Sequence, residues 1–255
     1  MVALDIDGTL LDHSGVMPDH IREAVARVLA SRTRVVLSTG RGWDATKPVF
    51  DTLTLPPGAV VCSNGAVLVH YPPFELSRVA TFDPGPVIRR VHELAPNARI
   101  AVEVIGNGFR LNKLFPEGDL TGEMRIETID ELCAQPASRI IVRDPDVPQS
   151  EFVDLAERLG MHGVSYAIGW SSWLDIAPEG INKASGLAQV CRHLGINRRD
   201  VLAIGDGFND IEMLEWAGRG VAVGDAADGV KQYADHVTDT FAEGGTSNEL
   251  NRWFG

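Results

Sequence analysis

The sequence is poor in the features that indicate membrane, secreted or nucleic-acid-binding proteins. No apolar run is long enough to span a bilayer, and no basic segment leads into the apolar core of a signal peptide. The three cysteines are scattered and form no Cys-x-x-Cys pair, which favours small apolar residues in a reducing compartment over disulfides. Lys and Arg number 23 against 35 Asp and Glu, a formal net charge of -12. We therefore expect a cytoplasmic protein that binds neither membranes nor nucleic acid.

What is present suits a globular protein of one or two domains. The chain has 255 residues, of which 44% are hydrophobic and 23% charged, close to the globular average, so it can bury a sizeable core. Neither internal repeats nor low-complexity segments interrupt it. For its assembly we expect a monomer or a weak homodimer.

Two carboxylates follow a short apolar run at the start of the chain. Residues 2–4 (Val-Ala-Leu) read as a buried parallel strand, and Asp5 and Asp7 follow at a spacing that places both on one side of an extended chain. Gly8 and Thr9 then turn the chain away. Two aligned carboxylates at the end of a strand indicate a catalytic or metal-binding site, whereas an ordinary Asx turn is the simpler alternative.

The alternation of strands and helices divides the chain. It predicts an α/β core over residues 1–77 and 178–255, with a doubly wound parallel sheet. Over residues 78–177 hairpin turns and paired strands replace this rhythm, which predicts an inserted α+β domain. We expect this insert to begin with a strand at 78–82 and to contain a helix at 150–159.

Several local signals predict individual features. Asn64-Gly65 predicts a two-residue hairpin, and the segment from Gly169 to Trp173 predicts another, after a strand at 164–169. A helix is expected over 226–233. Thr246–Glu249 has the pattern of a capping box that opens a closing helix.

Four further motifs lie where predicted strands or hairpins end, the edge at which open α/β sheets bind ligands. They are Thr39-Gly40-Arg41, Asn64-Gly65-Ala66, Lys183 in Ile176–Lys183, and Gly205-Asp206-Gly207-Phe208-Asn209-Asp210. Together with Asp-x-Asp-Gly-Thr-Leu at residues 5–10, this ordered set resembles the haloacid dehalogenase (HAD) superfamily, in its Cof-type branch with a IIB cap. The resemblance implies a HAD-like, Rossmann-type core with an inserted α+β cap, and a phosphatase acting on small phosphomonoesters, sugar phosphates first.

The chemistry of phosphoryl transfer suggests a role for each residue. Asp5 is the candidate nucleophile that forms an aspartyl-phosphate, and Asp7 the acid that protonates the leaving alcohol and then activates water. The Thr39 hydroxyl, with the backbone at Gly40, is expected to bind phosphoryl oxygens. Lys183 supplies positive charge against the developing negative charge. Asn209 and Asn64 are further phosphate-side candidates, although Asn64 has the equal alternative of merely forming the hairpin.

Four carboxylates beside a phosphate dianion require a cation. Each pair of like charges about 4 Å apart costs roughly 4 kcal/mol at an effective dielectric constant of ~20, and one lysine does not offset that sum. Mg2+ is the usual hard cation near phosphate. The resemblance implies ligation by the Asp5 carboxylate, the backbone carbonyl of Asp7 and the Asp206 carboxylate, with Asp210 nearby or acting through water.

Other interpretations of the same residues are weaker. Asp206–Asp210 lacks the alternating ligands of a calcium loop, and Gly205–Asp210 lacks the third glycine of a dinucleotide fingerprint. A phosphotransferase of the phosphomannomutase kind, which shares this core and cap, remains the nearest alternative. A regulatory protein that uses phosphorylated Asp5 as a signal is a third, although Asp7 speaks against it by shortening the life of a phosphoenzyme.

The inserted domain is expected to contribute to substrate recognition, and the sequence offers only a few candidate residues for it. Arg110, Asn112 and Lys113 follow a predicted turn and carry groups suited to an anion or to sugar hydroxyls, so they are candidate specificity residues. Trp170 and Trp173 are expected to pack in the core of the cap rather than line its substrate face. For Arg41 both a phosphate contact and a structural ion pair stay open.

Overall fold

The structure, a computed structural model, describes residues 1–148, 164–168 and 173–255, and for 164–168 it describes the backbone alone. The strands are β1 (Val2–Leu4), β2 (Val35–Leu37), β3 (Gly58–Cys62), β4 (Val67–Tyr71), β5 (Glu75–Val79), β6 (Arg99–Val104), β7 (Gly108–Leu111), β8 (Glu123–Ile126), β9 (Ile140–Arg143), β10 (Val164–Ile168), β11 (Trp173–Pro178), β12 (Leu202–Gly205), β13 (Arg219–Ala222) and β14 (His236–Val237).

The helices of the described residues are α1 (Asp19–Ala30), α2 (Trp43–Thr52), α3 (Gly85–Leu94), α4 (Ile129–Leu132), α5 (Lys183–Leu194), α6 (Ile211–Trp216), α7 (Asp228–Lys231) and α8 (Gly245–Phe254). Short 3-10 turns occur at Ser63–Gly65, Arg198–Asp200 and Phe208–Asp210. Within the described ranges, no helix combines the length and the apolar character that crossing a membrane requires.

The core is a five-stranded parallel sheet in the order β14-β13-β12-β1-β2. All three residues of β1 are fully buried because both faces of the sheet are covered. Val2 and Leu4 pack in the cluster that contains residues of α1, α2 and α8, whereas Ala3 packs in the opposite cluster with residues of α5 and α6. The predicted doubly wound α/β core is therefore confirmed.

The insert contains a six-stranded sheet in the order β10-β11-β9-β6-β7-β8. Its neighbours pair antiparallel, apart from the parallel pair of β7 and β8. One face packs on α3 and α4 through apolar residues such as Ile88, Leu132 and Ile100. The other face carries a second apolar cluster mixed with charged side chains, and this face is turned toward the carboxyl ends of the core strands. The predicted α+β cap is confirmed as a fold.

A separate three-stranded antiparallel sheet, β3-β4-β5, lies beside the core sheet. The strand expected at 78–82 is β5, Glu75–Val79, which joins this sheet instead of opening the cap sheet. The division of the chain into residues 1–77 with 178–255, and 78–177, stays a prediction.

The Asn64-Gly65 hairpin exists, but its loop is longer than predicted. Cys62 pairs with Val67, which leaves a four-residue loop, Ser63–Ala66. Three successive residues of this loop have positive φ angles: Ser63 at 51°, Asn64 at 51° and Gly65 at 95°. The loop packs closely against the residue before α5, because a Cβ on Gly65 would lie 2.1 Å from the carbonyl oxygen of Asn182, so only glycine fits there.

The expected capping box at 246–249 is wrong. Helix α8 begins two residues earlier than this box implies, after Gly244 in the left-handed region at φ 82°. The Thr246 hydroxyl donates instead to the Thr9 carbonyl at 2.7 Å, and the Glu249 carboxylate accepts from Arg219 at 2.7 Å. Tertiary partners have replaced the local hydrogen bonds.

Some elements are shorter than expected or were missed. The helix at 226–233 is reduced to Asp228–Lys231. All four residues of β8 are exposed and β14 has only two residues, so each is too short a signal for the sequence interpretation, although Glu123–Ile126 alternates polar with apolar residues. The helix at 150–159, the last residue of the strand at 164–169 and most of the turn between Gly169 and Trp173 lie outside the described residues, as does Trp170.

Candidate active site

The loop after β1 presents the two leading carboxylates in different environments. Asp5 is 4% exposed, whereas the side chain of Asp7 is 60% exposed. Gly8 makes the turn with φ 77°, and a Cβ there would lie 2.3 Å from Oδ2 of Asp206, so only glycine fits. The Thr9 hydroxyl donates to Oδ1 of Asp206 at 3.1 Å. The loop is thereby fixed against the loop that follows β12.

Lys183 lies beneath Asp5 as the first residue of α5. The helix starts there because Asn182 and Ser185 form a capping box, with the Asn182 side chain accepting from the Ser185 N–H at 2.8 Å. The Lys183 Nζ is completely buried and donates to Asp5 Oδ1 at 2.6 Å and to Asp210 Oδ1 at 2.7 Å. Burial alone would lower the pKa of Lys183, but the carboxylates of Asp210 and Asp5 outweigh burial and raise it. The lysine is therefore held as a cation.

Asp210 holds the loop that carries Asp206. Its Oδ2 accepts from the backbone N–H groups of Asp206 at 3.1 Å and of Gly207 at 2.9 Å, while its Oδ1 binds Lys183. A Cβ on Gly205 would lie 2.4 Å from the Asp210 carboxyl carbon, so the strand end must be glycine for this contact to form. Asp210 thus orders both the loop and the lysine.

Asp5, Asp206 and Asp210 form a cluster suited to a metal ion. One carboxylate oxygen from each lies within 4.8 Å of the others. Burial, followed by the neighbouring Asp210 carboxylate, raises the pKa of Asp5 well above its usual range and that of Asp206 to about 7. Three carboxylates face one ammonium group, and oxygen donors of this kind fit Mg2+. The Asp7 carboxylate is not a member of the cluster, and ligation through its backbone carbonyl stays a prediction.

Arg41 binds Asp7 through a bidentate ion pair. Its Nε donates to Oδ2 at 2.9 Å and its Nη2 to Oδ1 at 2.6 Å, and Nη1 contacts the Ala45 carbonyl at 3.4 Å. Burial works against the charged guanidinium, but the hydrogen bonds and charge of Asp7 outweigh it and raise the pKa of Arg41. Of the two interpretations left open by the sequence, the structure shows the ion pair, and it fixes the direction of Asp7.

The remaining polar candidates meet beside Asp5. The Asn209 amide donates to Oδ1 of Asn64 at 2.9 Å, and a Cβ on Gly40 would lie within 3.3 Å of both amides. The carbonyl of Thr39 accepts from the Asn64 N–H at 3.0 Å. Its hydroxyl accepts from the Arg41 N–H at 3.1 Å, so the hydroxyl proton can be donated to another group. The structure thus brings together Thr39, Gly40, Asn64 and Asn209, which three separate motifs contributed.

A cavity of about 580 Å³ lies between these residues and the inward face of the cap sheet. Six cap residues on or next to the sheet strands line it together with Gly108 and the loop residues 118–121: Glu103, Phe109, Arg139, Ile141, Trp173 and Asp175. Arg139 donates to Asp175 at 2.6 Å in a largely buried ion pair. Trp173 packs with Phe115 in the cap and also lines the cavity, so it does more than the expected core packing.

The sequence interpretation missed the charged cap residues and selected others. Arg110 pairs with Glu127 inside the cap, Asn112 bonds the backbone of Ile100, and Lys113 donates to the backbone carbonyls at positions 96 and 97. These three candidates support the cap's own structure and do not line the cavity. The sequence did contain a signal for the cavity-lining cap residues, because charged residues alternate with apolar ones in β6, β9 and β11. Successive side chains of a strand point to opposite faces of the sheet. Since helices cover one face, the charged side chains have to lie on the other.

Comparison with known proteins identifies relatives of the chain. A family model described as haloacid dehalogenase-like hydrolase matches residues 2–109 and 120–250. The chain is 29% identical to the pyridoxal phosphate phosphatase YbhA of Escherichia coli, over 95% of this chain and 96% of that protein. It is 27% identical to the 5-amino-6-(5-phospho-D-ribitylamino)uracil phosphatase YitU of Bacillus subtilis, over 100% and 97%.

Its fold is similar to that of BT4131, a sugar phosphatase of HAD subclass IIB. The TM-score is 0.83 at 20% identity, over 99% of this chain and 98% of that one. The family match confirms the predicted resemblance to the HAD superfamily, and this likeness confirms the IIB-type core and cap as a fold. The predicted enzyme class, a phosphoric monoester hydrolase, is confirmed by the family match and the relatives that are named phosphatases.

Proposed function

We propose a specific activity for this chain, which belongs to the haloacid dehalogenase-like hydrolase family: it is a Mg2+-dependent phosphatase of small phosphomonoesters, with sugar phosphates as its first candidate substrates. The observation that carries this proposal is the placement of Asp5 between Lys183 and Asp206, with Asp7 beside it at the mouth of the cavity. The cavity, at about 580 Å³, has the size of sites for small metabolites.

Hydrolysis proceeds in two steps at Asp5. A carboxylate oxygen of Asp5 attacks phosphorus and the bond to the ester oxygen breaks, while Asp7 gives its proton to the leaving alcohol. Asp7 then takes a proton from water, the water oxygen attacks phosphorus, and the bond to Asp5 breaks to release phosphate. Arg41 aims Asp7 in both steps.

The surrounding groups bind the phosphoryl oxygens and balance charge. The Thr39 hydroxyl donates to one oxygen, the backbone at Gly40 approaches closely, and the pair of Asn64 and Asn209 orders this side of the site. The Lys183 ammonium stabilises the negative charge that develops on the equatorial oxygens.

The cluster of Asp5, Asp206 and Asp210 fits a divalent cation, with the Asp7 carbonyl as the further predicted ligand. A bound Mg2+ would neutralise carboxylates and phosphate together and allow the nucleophile to approach a dianion. The free cysteines, Cys62, Cys133 and Cys191, support a reducing and hence cytoplasmic setting.

The test is phosphate release from sugar phosphates, nucleotides and an aryl phosphate, with and without Mg2+. Wild type, Asp5→Asn and a surface control, Asp19→Asn, are compared. Turnover that requires both Mg2+ and Asp5, and survives in the control, supports the proposal. No release from any ester by a folded, metal-binding protein would contradict it and favour a phosphomutase, to be tested with a bisphosphate activator.

A further inference from the structure

Glu103 is a buried cap carboxylate to which neither the sequence motifs nor the proposed mechanism gives a role. It lies on β6, across from Phe109 on β7, and its N–H donates to the Arg139 carbonyl at 3.1 Å. Because its neighbour Val102 packs on the helix side of the cap sheet, Glu103 points from the opposite face, toward the core. It is 8% exposed.

The carboxylate of Glu103 contacts the core at two places. The Ser63 hydroxyl, in the β3–β4 loop, lies 2.8 Å from each of its oxygens and donates to them. At Gly42, the residue before α2, a Cβ would lie 2.4 Å from Oε1. From the cap itself, the Ser138 hydroxyl donates to Oε2 at 3.2 Å. The carboxylate thus occupies a slot that exists only when cap and core are together.

The loop that Glu103 binds is part of the phosphate side of the site. The Ser63 N–H donates to the Arg41 carbonyl at 2.8 Å, and the next residue, Asn64, donates its N–H to Thr39 and accepts from Asn209. Ser63 holds a φ of 51°, which non-glycine residues rarely adopt without tertiary support. A hydrogen bond from Ser63 to a charged acceptor supplies such support.

Burial makes the charged form of Glu103 costly unless its hydrogen-bond donors are in place. Loss of hydration raises the pKa of Glu103, and the charge of Arg139 and the two serine hydroxyls act in the opposite direction. A carboxylate in this position is stable only with its donors in place. When the cap separates from the core, Glu103 loses Ser63 and regains water, so the contact distinguishes the closed arrangement from an open one.

We propose that Glu103 is a positioning residue. It fixes the cap against the core, and it holds Ser63 and Asn64 in the conformation that completes the phosphate-binding side of the site. The inference rests on the proposed function for its catalytic consequence. Its structural consequence, an ordered β3–β4 loop, does not depend on that function.

Three variants disturb the contact from different sides. Glu103→Gln keeps the shape and removes the charge, Ser63→Ala removes the donor, and Gly42→Ala displaces the carboxylate. Glu127→Gln is the matched control, because Glu127 is a cap carboxylate of similar exposure whose partner Arg110 lies within the cap.

Hydrogen–deuterium exchange of the segment 58–71 and steady-state kinetics with p-nitrophenyl phosphate and Mg2+ are measured, alongside thermal unfolding. We expect faster exchange at the β3–β4 loop and a kcat roughly ten- to a hundredfold lower in each of the three variants, the effect of one hydrogen bond to a charged group. KM should change less than kcat, and Glu127→Gln should resemble wild type.

A double variant, Glu103→Gln with Ser63→Ala, decides whether the two residues act together. A kcat no lower than that of either single variant, at unchanged thermal midpoint, supports the proposal. The proposal would be overturned if the losses of kcat in the two single variants multiplied in the double variant. It would also be overturned if Glu103→Gln had the same exchange rate and kcat as the control. If wild type hydrolyses no ester, the proposed function fails, while the exchange experiment still decides whether Glu103 orders the loop.

Discussion

The metal-free protein should become more stable when Asp206 is replaced by Asn. The carboxylate oxygens of Asp5, Asp206 and Asp210 lie within 4.8 Å of one another, and two unit charges at that separation repel by about 3.5 kcal/mol at an effective dielectric constant of about 20. Asp206 takes part in two of the three carboxylate pairs, and the charge of Lys183 offsets about one of these two repulsions, so about one stays uncompensated. An amide at 206 removes the charge and can still accept from Thr9.

The raised pKa of Asp206 implies a destabilisation of similar size and determines how the free energy of unfolding depends on pH. It rises from 3.8 to about 7 on folding because of burial and then the Asp210 carboxylate. The folded protein therefore binds this proton more tightly than the unfolded chain, and stability falls as pH rises from about 4 to about 7. The free energy of unfolding of Asp206→Asn should exceed that of wild type by about 4 kcal/mol at pH 8 and about 2 kcal/mol at pH 5.5.

Urea denaturation with EDTA or with excess Mg2+ at both pH values measures these differences, with Asp19→Asn as the surface control. Mg2+ at a hundredfold excess over its dissociation constant should stabilise wild type by about 2.7 kcal/mol and the Asn variant by much less, since a ligand is gone. Equal stability of variant and wild type at pH 8 without metal would refute the electrostatic reasoning. Equal stabilisation of both by Mg2+ would refute the placement of the metal.

Three further substitutions test separate parts of the site. Arg41→Met frees Asp7 from its ion pair, and steady-state kinetics should show kcat lower by roughly ten- to a hundredfold with little change in KM; an unchanged kcat would contradict the positioning role. Gly8→Ala should lower the free energy of unfolding by about 1–3 kcal/mol more than Gly15→Ala does. Both glycines have φ near 80°, but only Gly8 faces a neighbouring carboxylate. Equal losses of the two variants in urea denaturation would contradict this. Lys183→Met leaves two buried carboxylates without their cation. Chemical denaturation should therefore show a free energy of unfolding lower by about 3–5 kcal/mol at pH 8, and a smaller loss at pH 5.5. A loss that is independent of pH would argue against this reasoning.

The core and the placement of its candidate catalytic residues were predictable because local signals agreed with topology. The apolar run before Asp5 and the turn at Gly8 are adjacent in sequence, and parallel strands bring their carboxyl ends to one edge. This rule places Asp5 next to Asp206, although about 200 residues separate them in the chain. Lys183 followed from its motif and from the start of a helix.

The cap side of the site was not predictable in the same way. Glu103, Arg139 and Asp175 reach the cavity because one face of the cap sheet happens to be covered by helices and the other by the core, a choice that strand periodicity alone does not make. Arg110 and Lys113 carry the same chemistry but satisfy partners within the cap. Charged residues in a strand indicate the face that the helices do not cover, and only the packing of the two domains shows what that face meets.

The most direct test of the central claim, that Asp5 carries the phosphoryl group during hydrolysis, is to trap the intermediate. Asp7→Asn removes the group that activates water, so after mixing with p-nitrophenyl phosphate and Mg2+ and quenching in acid, a phosphoenzyme should accumulate. Mass spectrometry of the N-terminal peptide should locate the phosphate on Asp5, and Asp5→Asn in the same background should abolish it. Phosphate on another residue, or a burst of hydrolysis with no phosphoenzyme in any variant, would contradict the account.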